Sequence, residues 1–263
     1  MICCPTCDMT STATTDEAMV QPMAQSVARL AQMTFTINRL VAEDVFNESL
    51  NKLKKLLSQM THKDINLDKE LMNESLISRL RSRRCSVTFV PICETQHFQM
   101  CCFALRTNRC RIPLHNHPQM FGLIKVIYGC VSVDNYTALP VDGKYILPND
   151  VSKRVERWQR DFLVPVIYNG KTTIDSQSKE VCVLTPNQRN YHEVVAIDGP
   201  AVILDILGPP YREDRECHYY KVVTTVYDHR LQRDITWLLE LEDPPEDYRC
   251  DSLPYMGPNI YFD

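Results

Sequence analysis

The stretch IPLHNHPQMFGLIKVIYGCVSV, residues 112–133, contains two of the chain's seven histidines, His115 and His117, with one residue between them. The apolar run after Pro118 is rich in β-branched residues, a composition typical of buried strands. On a strand, residues two apart point to the same face and lie about 7 Å apart along the backbone. The sequence therefore predicts a strand that directs two imidazoles toward one site.

Similar segments recur between residues 85 and 228, separated by breaks rich in Pro, Gly and Asn. They include CSVTFVPICE, HFQMCCFAL, CVSVDNY, DFLVPVIYNG, EVCVLTP, HEVVAI, AVILDIL and HYYKVVTTVYD. Many short strands without helices between them indicate an antiparallel sandwich or barrel. Residues 139–161 are charged and interrupt this pattern, so we expect a loop-rich insertion there.

Helical periodicity precedes the strands. Apolar residues recur at helical spacing from residue 18 to about 45 and again in FNESLNKLKKLLSQM, whose lysines lie off the apolar stripe. A third short helix is predicted in KELMNESLISRL. The arginine-rich RLRSRR that follows indicates a solvated helix end, with a nuclear-import or nucleic-acid patch as the alternative.

The first 17 residues are polar and predict a disordered tail. Cys4 and Cys7 form a CxxC, but no second pair stands at zinc-ribbon spacing. A mitochondrial presequence is the competing interpretation of the region after the tail, and Asp16 and Glu17 argue against it. The predicted organisation is therefore a tail at 1–17, a helical region at 18–84 and a β domain at 85–263.

Composition narrows the class of protein. The net charge of −4 gives no global reason to expect nucleic acid or an anionic membrane as a partner. No apolar run approaches the roughly 18 residues that span a bilayer, and no secretory signal is evident. Twelve scattered cysteines without an export signal indicate reduced thiols in the cytoplasm or nucleus. We expect an intracellular monomer.

A third imidazole comes from LTPNQRNYHEVVA, in which His192 enters a strand after a polar loop. Three neutral imidazoles with vacant positions suit iron(II), zinc, copper or nickel. Because no carboxylate compensates the metal charge, such a site favours an anionic ligand such as a thiolate. His62, His97, His218 and His229 are weaker candidates, since their surroundings indicate exposed or core positions.

The spacing H-x-H-x4-G-x6-G, completed by Gly122 and Gly129, resembles the first motif of the cupin superfamily. That motif usually has a glutamate ligand soon after the second histidine, and PQMFG contains none. The segment around His192 resembles the second cupin motif loosely, with Pro186 present but without the usual Gly and trailing Asn. The resemblance implies a double-stranded β-helix, a jelly-roll barrel, behind the N-terminal helices.

A more specific resemblance covers most of the chain from about residue 20 onward. The blocks PLHNHPQMFGLIKVIYG, CVLTPNQRNYHEV, AVILDILGPPY, CHYYKV and WLLELEDPPEDYRCDSLPYMGPNIYF resemble, in this order, blocks of the 2-aminoethanethiol dioxygenases. Plant cysteine oxidases share the earlier blocks. The resemblance implies a non-haem iron(II) enzyme that adds both atoms of O2 to a thiol and yields a sulfinic acid. Family substrates are cysteamine and proteins with an N-terminal cysteine, whose oxidation leads to arginylation and degradation, so such an enzyme can sense oxygen.

The resemblance also implies roles for individual residues. Asp205, in LDILGPPY, matches a family carboxylate that binds the substrate ammonium directly or through water; the alternative is a strand-end carboxylate in a turn. Tyr211 is expected either to donate a hydrogen bond to bound oxygen or to pack its ring. Fe(2+) is the implied metal, held by His115, His117 and His192.

Cys217 and Tyr219 are two residues apart on a predicted strand and share a face. Some thiol dioxygenases form a covalent Cys–Tyr link near iron, and this pair matches a site for one; unlinked core residues are the alternative. Three other functions compete with the dioxygenase: a non-enzymatic metal- or ligand-binding cupin, a different cupin metalloenzyme, and an interaction protein built on the helical N-terminus.

Overall fold

The computed structural model describes residues 21–67, 86–140 and 146–262. The predicted tail, the predicted helix KELMNESLISRL and the arginine-rich RLRSRR lie outside the described residues. The N-terminal part contains helix α1 (Met23–Thr36), helix α2 (Glu43–Leu57) and a 3-10 turn (His62–Ile65). Acidic side chains in the first turn of α2 and lysines in its last turn complement the helix dipole.

Helix α1 is shorter than the predicted helical stretch, which ran on to about residue 45. It ends at Thr36, and Ile37 is already extended, with φ −67° and ψ 125°. Asn38 then turns the chain, because its side-chain oxygen accepts a hydrogen bond from the backbone N–H of Leu40 at 3.1 Å. The apolar residues after this point, Leu40 and Val41, are exposed and have no core to continue a helix against.

The body of the molecule is a ten-stranded sheet. Its strands are β1 (Val87–Glu94), β2 (Gln99–Leu105), β3 (Arg111–Asn116), β4 (Phe121–Ala138), β5 (Leu163–Asp175), β6 (Cys182–Leu184), β7 (Tyr191–Gly208), β8 (Tyr219–Asp228), β9 (Arg233–Leu241) and β10 (Cys250–Ser252). In the described part of the predicted insertion, residues 139–140 and 146–161, the structure has helix α3 (Asn149–Ser152) and the start of a 3-10 turn (Arg157–Phe162). The sequence analysis assigned no strand to β9 or β10.

The order β7-β3-β8-β9-β5-β4 closes into a barrel because β4 also pairs with β7. This confirms the predicted fold class, a mainly β barrel behind N-terminal helices. Strands β1 and β2 extend the sheet from β7, and β10 pairs in parallel with β1. Strand β3 lies between β7 and β8, so the histidines of β3 and β7 are carried on neighbouring strands.

Helices α1 and α2 pack on the sheet through one buried apolar cluster. Small residues of α1, among them Ala24 and Ala28, meet Leu53 of α2, and the same cluster includes Met100 of β2 and Ile206 of β7. Apolar residues recurring at helical spacing made this packing face visible in the sequence. The helices therefore cover one face of the sheet.

Two pairs of predicted short strands prove to be single long strands that bend. MFGLIKVIYG and CVSVDNY form β4, and HEVVAI and AVILDIL form β7, each 18 residues long. The bend of β4 lies at Gly129, whose φ of +69° favours glycine. A Cβ there would lie 2.2 Å from the carbonyl oxygen of Pro200 in β7, so only glycine lets the two strands approach.

Replacing Gly129 by Ala is expected to destabilise the fold by about 3 kcal/mol, since strain and a backbone clash act together. Gly170 is a matched control: its φ is +97°, but a Cβ there meets nothing within 4 Å. Gly170→Ala should therefore lose only about 1–2 kcal/mol. Urea unfolding of both variants measures the difference, and equal losses would contradict a close approach at Gly129.

Candidate metal centre

Strands β3 and β7 bring the three predicted histidines together. His115 of β3 is the cross-strand partner of His192 in β7, and His117 follows one residue beyond the end of β3. All three side chains are buried, and their ligand nitrogens lie within 4.8 Å of one another. Within the described part of the chain, no other group of three His, Cys, Asp or Glu side chains brings its ligand atoms together in this way.

Hydrogen bonds determine which nitrogens remain free. His115 Nδ1 lies 2.8 Å from the carbonyl oxygen of Pro113, which only accepts, so Nδ1 carries the proton and Nε2 is left with a lone pair. Tyr211 donates its hydroxyl proton to the carbonyl oxygen of Asn116 at 2.9 Å and accepts from His117 Nδ1 at 2.6 Å. His117 therefore also presents an unprotonated Nε2.

Burial keeps the imidazoles neutral. It lowers the pKa of His115 to about 4, because the charged form loses its hydration. Burial also lowers the pKa of His117 and His192 well below the ordinary value, and the neighbouring imidazoles add to the effect. At neutral pH the three side chains are thus ready-made nitrogen ligands that release no proton on binding a metal.

The geometry of the group fits a divalent transition metal. His117 Nε2 and His192 Nε2 are 3.3 Å apart. Two nitrogens bound at a right angle, each about 2.1 Å from a metal, would lie about 3 Å apart. The donor set consists of imidazoles alone, a set that suits iron, copper, nickel or zinc better than magnesium or calcium.

A cavity of about 270 Å³ opens onto the three histidines. Its walls include all four residues predicted for the chemistry, namely Asp205, Tyr211, Cys217 and Tyr219. It also contains aromatic residues that the sequence analysis missed: Phe89, Phe103 and Tyr248. The Tyr248 ring lies 5.8 Å from that of Tyr219, and the Phe89 and Phe103 rings are 5.3 Å apart. The wall is thus largely apolar, with one carboxylate.

That carboxylate, Asp205, is buried within β7 and is only 4% exposed. Its Oδ1 atom has no hydrogen-bond partner among the described residues. Desolvation raises the pKa of Asp205 to about 7, and a backbone hydrogen bond from Ile206 partly offsets this. Asp205 lies three residues before the end of β7 at Gly208, and it lines the cavity.

The hydroxyl of Tyr211 orients the imidazole of His117. Its proton is donated to Asn116 and its lone pair accepts from His117, so the predicted choice between an oxygen-directed donor and simple packing gives way to a third arrangement. Its ring also lies 5.5 Å from that of His117. Such a bond fixes the tautomer and orientation of a metal-binding imidazole.

Cys217 lies before β8 begins at Tyr219, so the two residues do not share a strand as predicted. Their side chains nevertheless line the same cavity, and the hydroxyls of Tyr211 and Tyr219 act on the pKa of the Cys217 thiol. Burial raises the pKa of the Cys217 thiol to about 11 and that of the Tyr219 hydroxyl to about 12. Both groups are therefore neutral at pH 7 in the wall of the cavity.

Asn190 is a further residue that the sequence analysis missed. Its Oδ1 accepts from the backbone N–H of His117 at 3.0 Å, and its Nδ2 donates to the carbonyl oxygen of His117 at 2.7 Å. The same Nδ2 donates to the carbonyl oxygen of Thr185 at 3.0 Å, which ties His117 to the loop before β7. The sequence does contain a signal for Asn190. It lies two residues before His192, and residues two apart on an extended segment point to the same side, as for His115 and His117.

Comparison with known proteins identifies the family. The PCO_ADO family model matches residues 56–260, most of the chain. The chain belongs to the PCO_ADO family. The resemblance to 2-aminoethanethiol dioxygenases and plant cysteine oxidases is thereby confirmed.

Two relatives match most of this chain in sequence. The 2-aminoethanethiol dioxygenase of Mus musculus is 33% identical over 253 residues, 90% of this chain and 96% of that protein. Plant cysteine oxidase 2 of Arabidopsis thaliana is 25% identical over 81% of this chain and 74% of its own. A cupin superfamily protein from Desulfitobacterium hafniense aligns over 50% of this chain and 84% of its own, at 11% identity and a TM-score of 0.30.

No helix among the described residues is long and apolar enough to cross a membrane.

Proposed function

We propose that this chain is a thiol dioxygenase that uses Fe(2+) and O2 to convert an aminothiol to its sulfinic acid. The observation that carries the proposal is the group of three buried, neutral imidazoles in one cavity with a buried carboxylate whose Oδ1 has no hydrogen-bond partner. The similarity to a protein named 2-aminoethanethiol dioxygenase supports the same reaction. The choice of iron over zinc, copper or nickel rests on the family, because the donor set alone suits several metals.

His115, His117 and His192 would hold the metal through Nε2. Bound iron would supply O2 activation and a site for the substrate thiolate. Asp205 would take the ammonium of the substrate, and pairing with that cation would keep the carboxylate ionised despite its burial. Tyr211 holds His117 in the orientation that this requires. A thiol and an amine two carbons apart are thus read by two different parts of one cavity.

The size of the cavity supports an N-terminal cysteine as substrate in addition to cysteamine. Cysteamine has four heavy atoms, which need on the order of 100 Å³ at about 30 Å³ for each water-sized group. The cavity is about 270 Å³, so it has room for part of the following peptide residue. Oxidation of protein N-termini would connect O2 supply to protein degradation by arginylation, and an oxygen-sensing role is part of this proposal.

We also propose a cellular compartment, an oligomeric state and a covalent link for this protein. Every cysteine that the structure describes is a free thiol, which supports a reducing compartment such as the cytoplasm or nucleus. We propose a monomer with neither nucleic acid nor membrane as partner. The position of Cys217 and Tyr219 in the wall of the same cavity supports these two as the pair that a covalent thioether would join. Intact mass would reveal that link as the loss of two hydrogen atoms.

The test is an aerobic assay of the iron(II)-loaded protein with cysteamine and with a short peptide that begins in cysteine. Mass spectrometry should show a gain of two oxygen atoms on each thiol, absent with the zinc-loaded protein. Oxidation of cysteamine alone would restrict the substrate to small aminothiols. If neither thiol changed at full iron occupancy, the dioxygenase would be rejected in favour of the non-enzymatic cupin.

A further inference from the structure

The strand that carries His115 presents different chemistry on its two faces. His115 and His117 line the cavity, whereas Asn116, the residue between them, does not. Asn116 is buried, and its side chain bonds to residues of the segment around β8 instead. Alternation along a strand explains this, because neighbouring side chains point to opposite faces. A buried polar side chain such as that of Asn116 requires hydrogen-bond partners.

Four side chains form a closed ring of hydrogen bonds behind the centre. Asn116 Nδ2 donates to the Tyr220 hydroxyl at 3.0 Å, and that hydroxyl donates to Glu240 Oε2 at 3.0 Å. His218 Nδ1 donates to Glu240 Oε1 at 2.6 Å. The backbone N–H of His218 donates to Asn116 Oδ1 at 2.9 Å and closes the ring. We call these four residues the Asn116 ring.

The Asn116 ring contacts the chain next to each of the three histidines. Asn116 itself separates His115 from His117, and its carbonyl oxygen accepts the bond from Tyr211 that orients His117. Tyr191 directly precedes His192 in β7, and its ring packs edge-on against that of Tyr220 at 5.0 Å. A shift of Tyr220 would therefore displace residues next to the histidines on both β3 and β7.

The ring also gives a role to residues of two sequence blocks that the proposed chemistry does not use. CHYYKV supplies His218 and Tyr220, and the block beginning WLLELE supplies Glu240. These residues come from β8, its N-terminal approach and β9, so the ring fixes β3 against two further strands. Tyr220 is 4% exposed, and its hydroxyl has partners on both sides, so its bonds do not exchange freely with water.

We propose that the Asn116 ring positions the three ligand histidines, with Tyr220 as the positioning residue at its centre. The inference rests on the proposed function, since it takes the three histidines as metal ligands. The physical reason is preorganisation. When hydrogen bonds already hold the backbone of the metal-binding residues in place, metal binding costs less conformational entropy. Loss of a supporting partner of a metal ligand typically lowers metal affinity about 10–100-fold.

Tyr220→Phe tests the proposal because it removes one hydroxyl and keeps the ring packed on Tyr191. The probe is Co(II), whose affinity and visible absorption report ligand geometry without any turnover. Tyr168→Phe is the matched control: the Tyr168 hydroxyl donates to Asp134 at 2.6 Å on the same barrel, and Tyr168 is not part of the ring. Tyr220→Phe should lower the Tm of the metal-free protein more than Tyr168→Phe does, because Tyr220 is 4% exposed and Tyr168 is 45% exposed.

Only Tyr220→Phe should weaken Co(II) binding, by about 10–100-fold, and shift the Co(II) absorption bands. Unchanged affinity and bands in Tyr220→Phe would overturn the proposal and leave the ring a support of the fold alone. If Tyr220→Phe does not fold, Glu240→Gln is measured in the same way and should change affinity in the same direction. A His192→Ala protein that binds Co(II) as tightly as the wild type would instead reject the proposed function.

Discussion

Replacing His192 by Ala is expected to abolish thiol oxidation and to lower metal affinity by more than about 100-fold. Losing only a supporting partner of a ligand costs about 10–100-fold, and losing the ligand itself costs more. Two imidazoles from one short segment would remain, without the partner that β7 places 3.3 Å from His117. The measurements are iron content after gel filtration and turnover of cysteamine.

His229→Ala is the control for this variant, since His229 is exposed and lies outside the cavity. It should retain full iron content and full activity. His192→Gln serves as a second variant, because it fills more of the buried space than Ala does and separates loss of the ligand from loss of packing. Wild-type iron content in both His192 variants would contradict the three-histidine centre.

Asp205→Asn is expected to lower activity and to raise stability. Turnover of aminothiols should fall about 10–100-fold, mainly through KM, because a hydrogen bond to a charged group contributes about 1.5–3 kcal/mol. The metal-free protein should become more stable at alkaline pH, because a buried carboxylate with no partner on Oδ1 opposes folding when it is ionised. A change that damages activity and improves stability is typical of a binding residue.

The pH dependence of that stability follows from the pKa of Asp205. Burial raises it from an ordinary 3.8 to about 7, so the folded protein binds the proton more tightly than the unfolded chain does. Stability contributed by this group is therefore present below pH 4 and is lost as pH rises toward 7. A shift of this size corresponds to about 4 kcal/mol at most. The advantage of Asp205→Asn should thus be larger at pH 8 than at pH 5 in urea unfolding.

Asp134→Asn provides the contrast, since Asp134 is buried but has partners. It accepts from Tyr168 at 2.6 Å and pairs with Lys171 at 3.2 Å. Its replacement should destabilise the protein at pH 8, where that of Asp205 stabilises it. A stability difference between the wild type and Asp205→Asn that is the same at pH 5 and pH 8 would refute an ionisable carboxylate with a free Oδ1 in the cavity.

Short-range periodicity predicted much of the architecture. Helix α2 was expected at residues 46–60 and lies at Glu43–Leu57, since its apolar stripe and lysines leave one packing face. The alternation of strands brought His115 and His117 to one site, and the polar loop before β7 predicted where His192 would enter. These are local signals, and each needs only the residues within a few positions along the chain.

The remaining features depend on contacts between distant parts of the chain. No local pattern shows that β4 and β7 continue through a bend, because the requirement at Gly129 comes from Pro200, 71 positions further along the sequence. Tyr248 reaches the cavity only because β10 returns to pair with β1. The hydrogen bond between His117 and Tyr211 likewise exists only after the turn that follows β7 has folded back over β3.

The most direct test of the central claim is the source of the oxygen atoms in the product. The iron(II)-loaded protein is supplied with 18O2 in ordinary water and a peptide that begins in cysteine. We expect a sulfinic acid in which both added oxygen atoms are 18O, formed by the wild type and absent in His192→Ala. A product with one labelled atom, or no iron-dependent product at all, would contradict a dioxygenase at this centre.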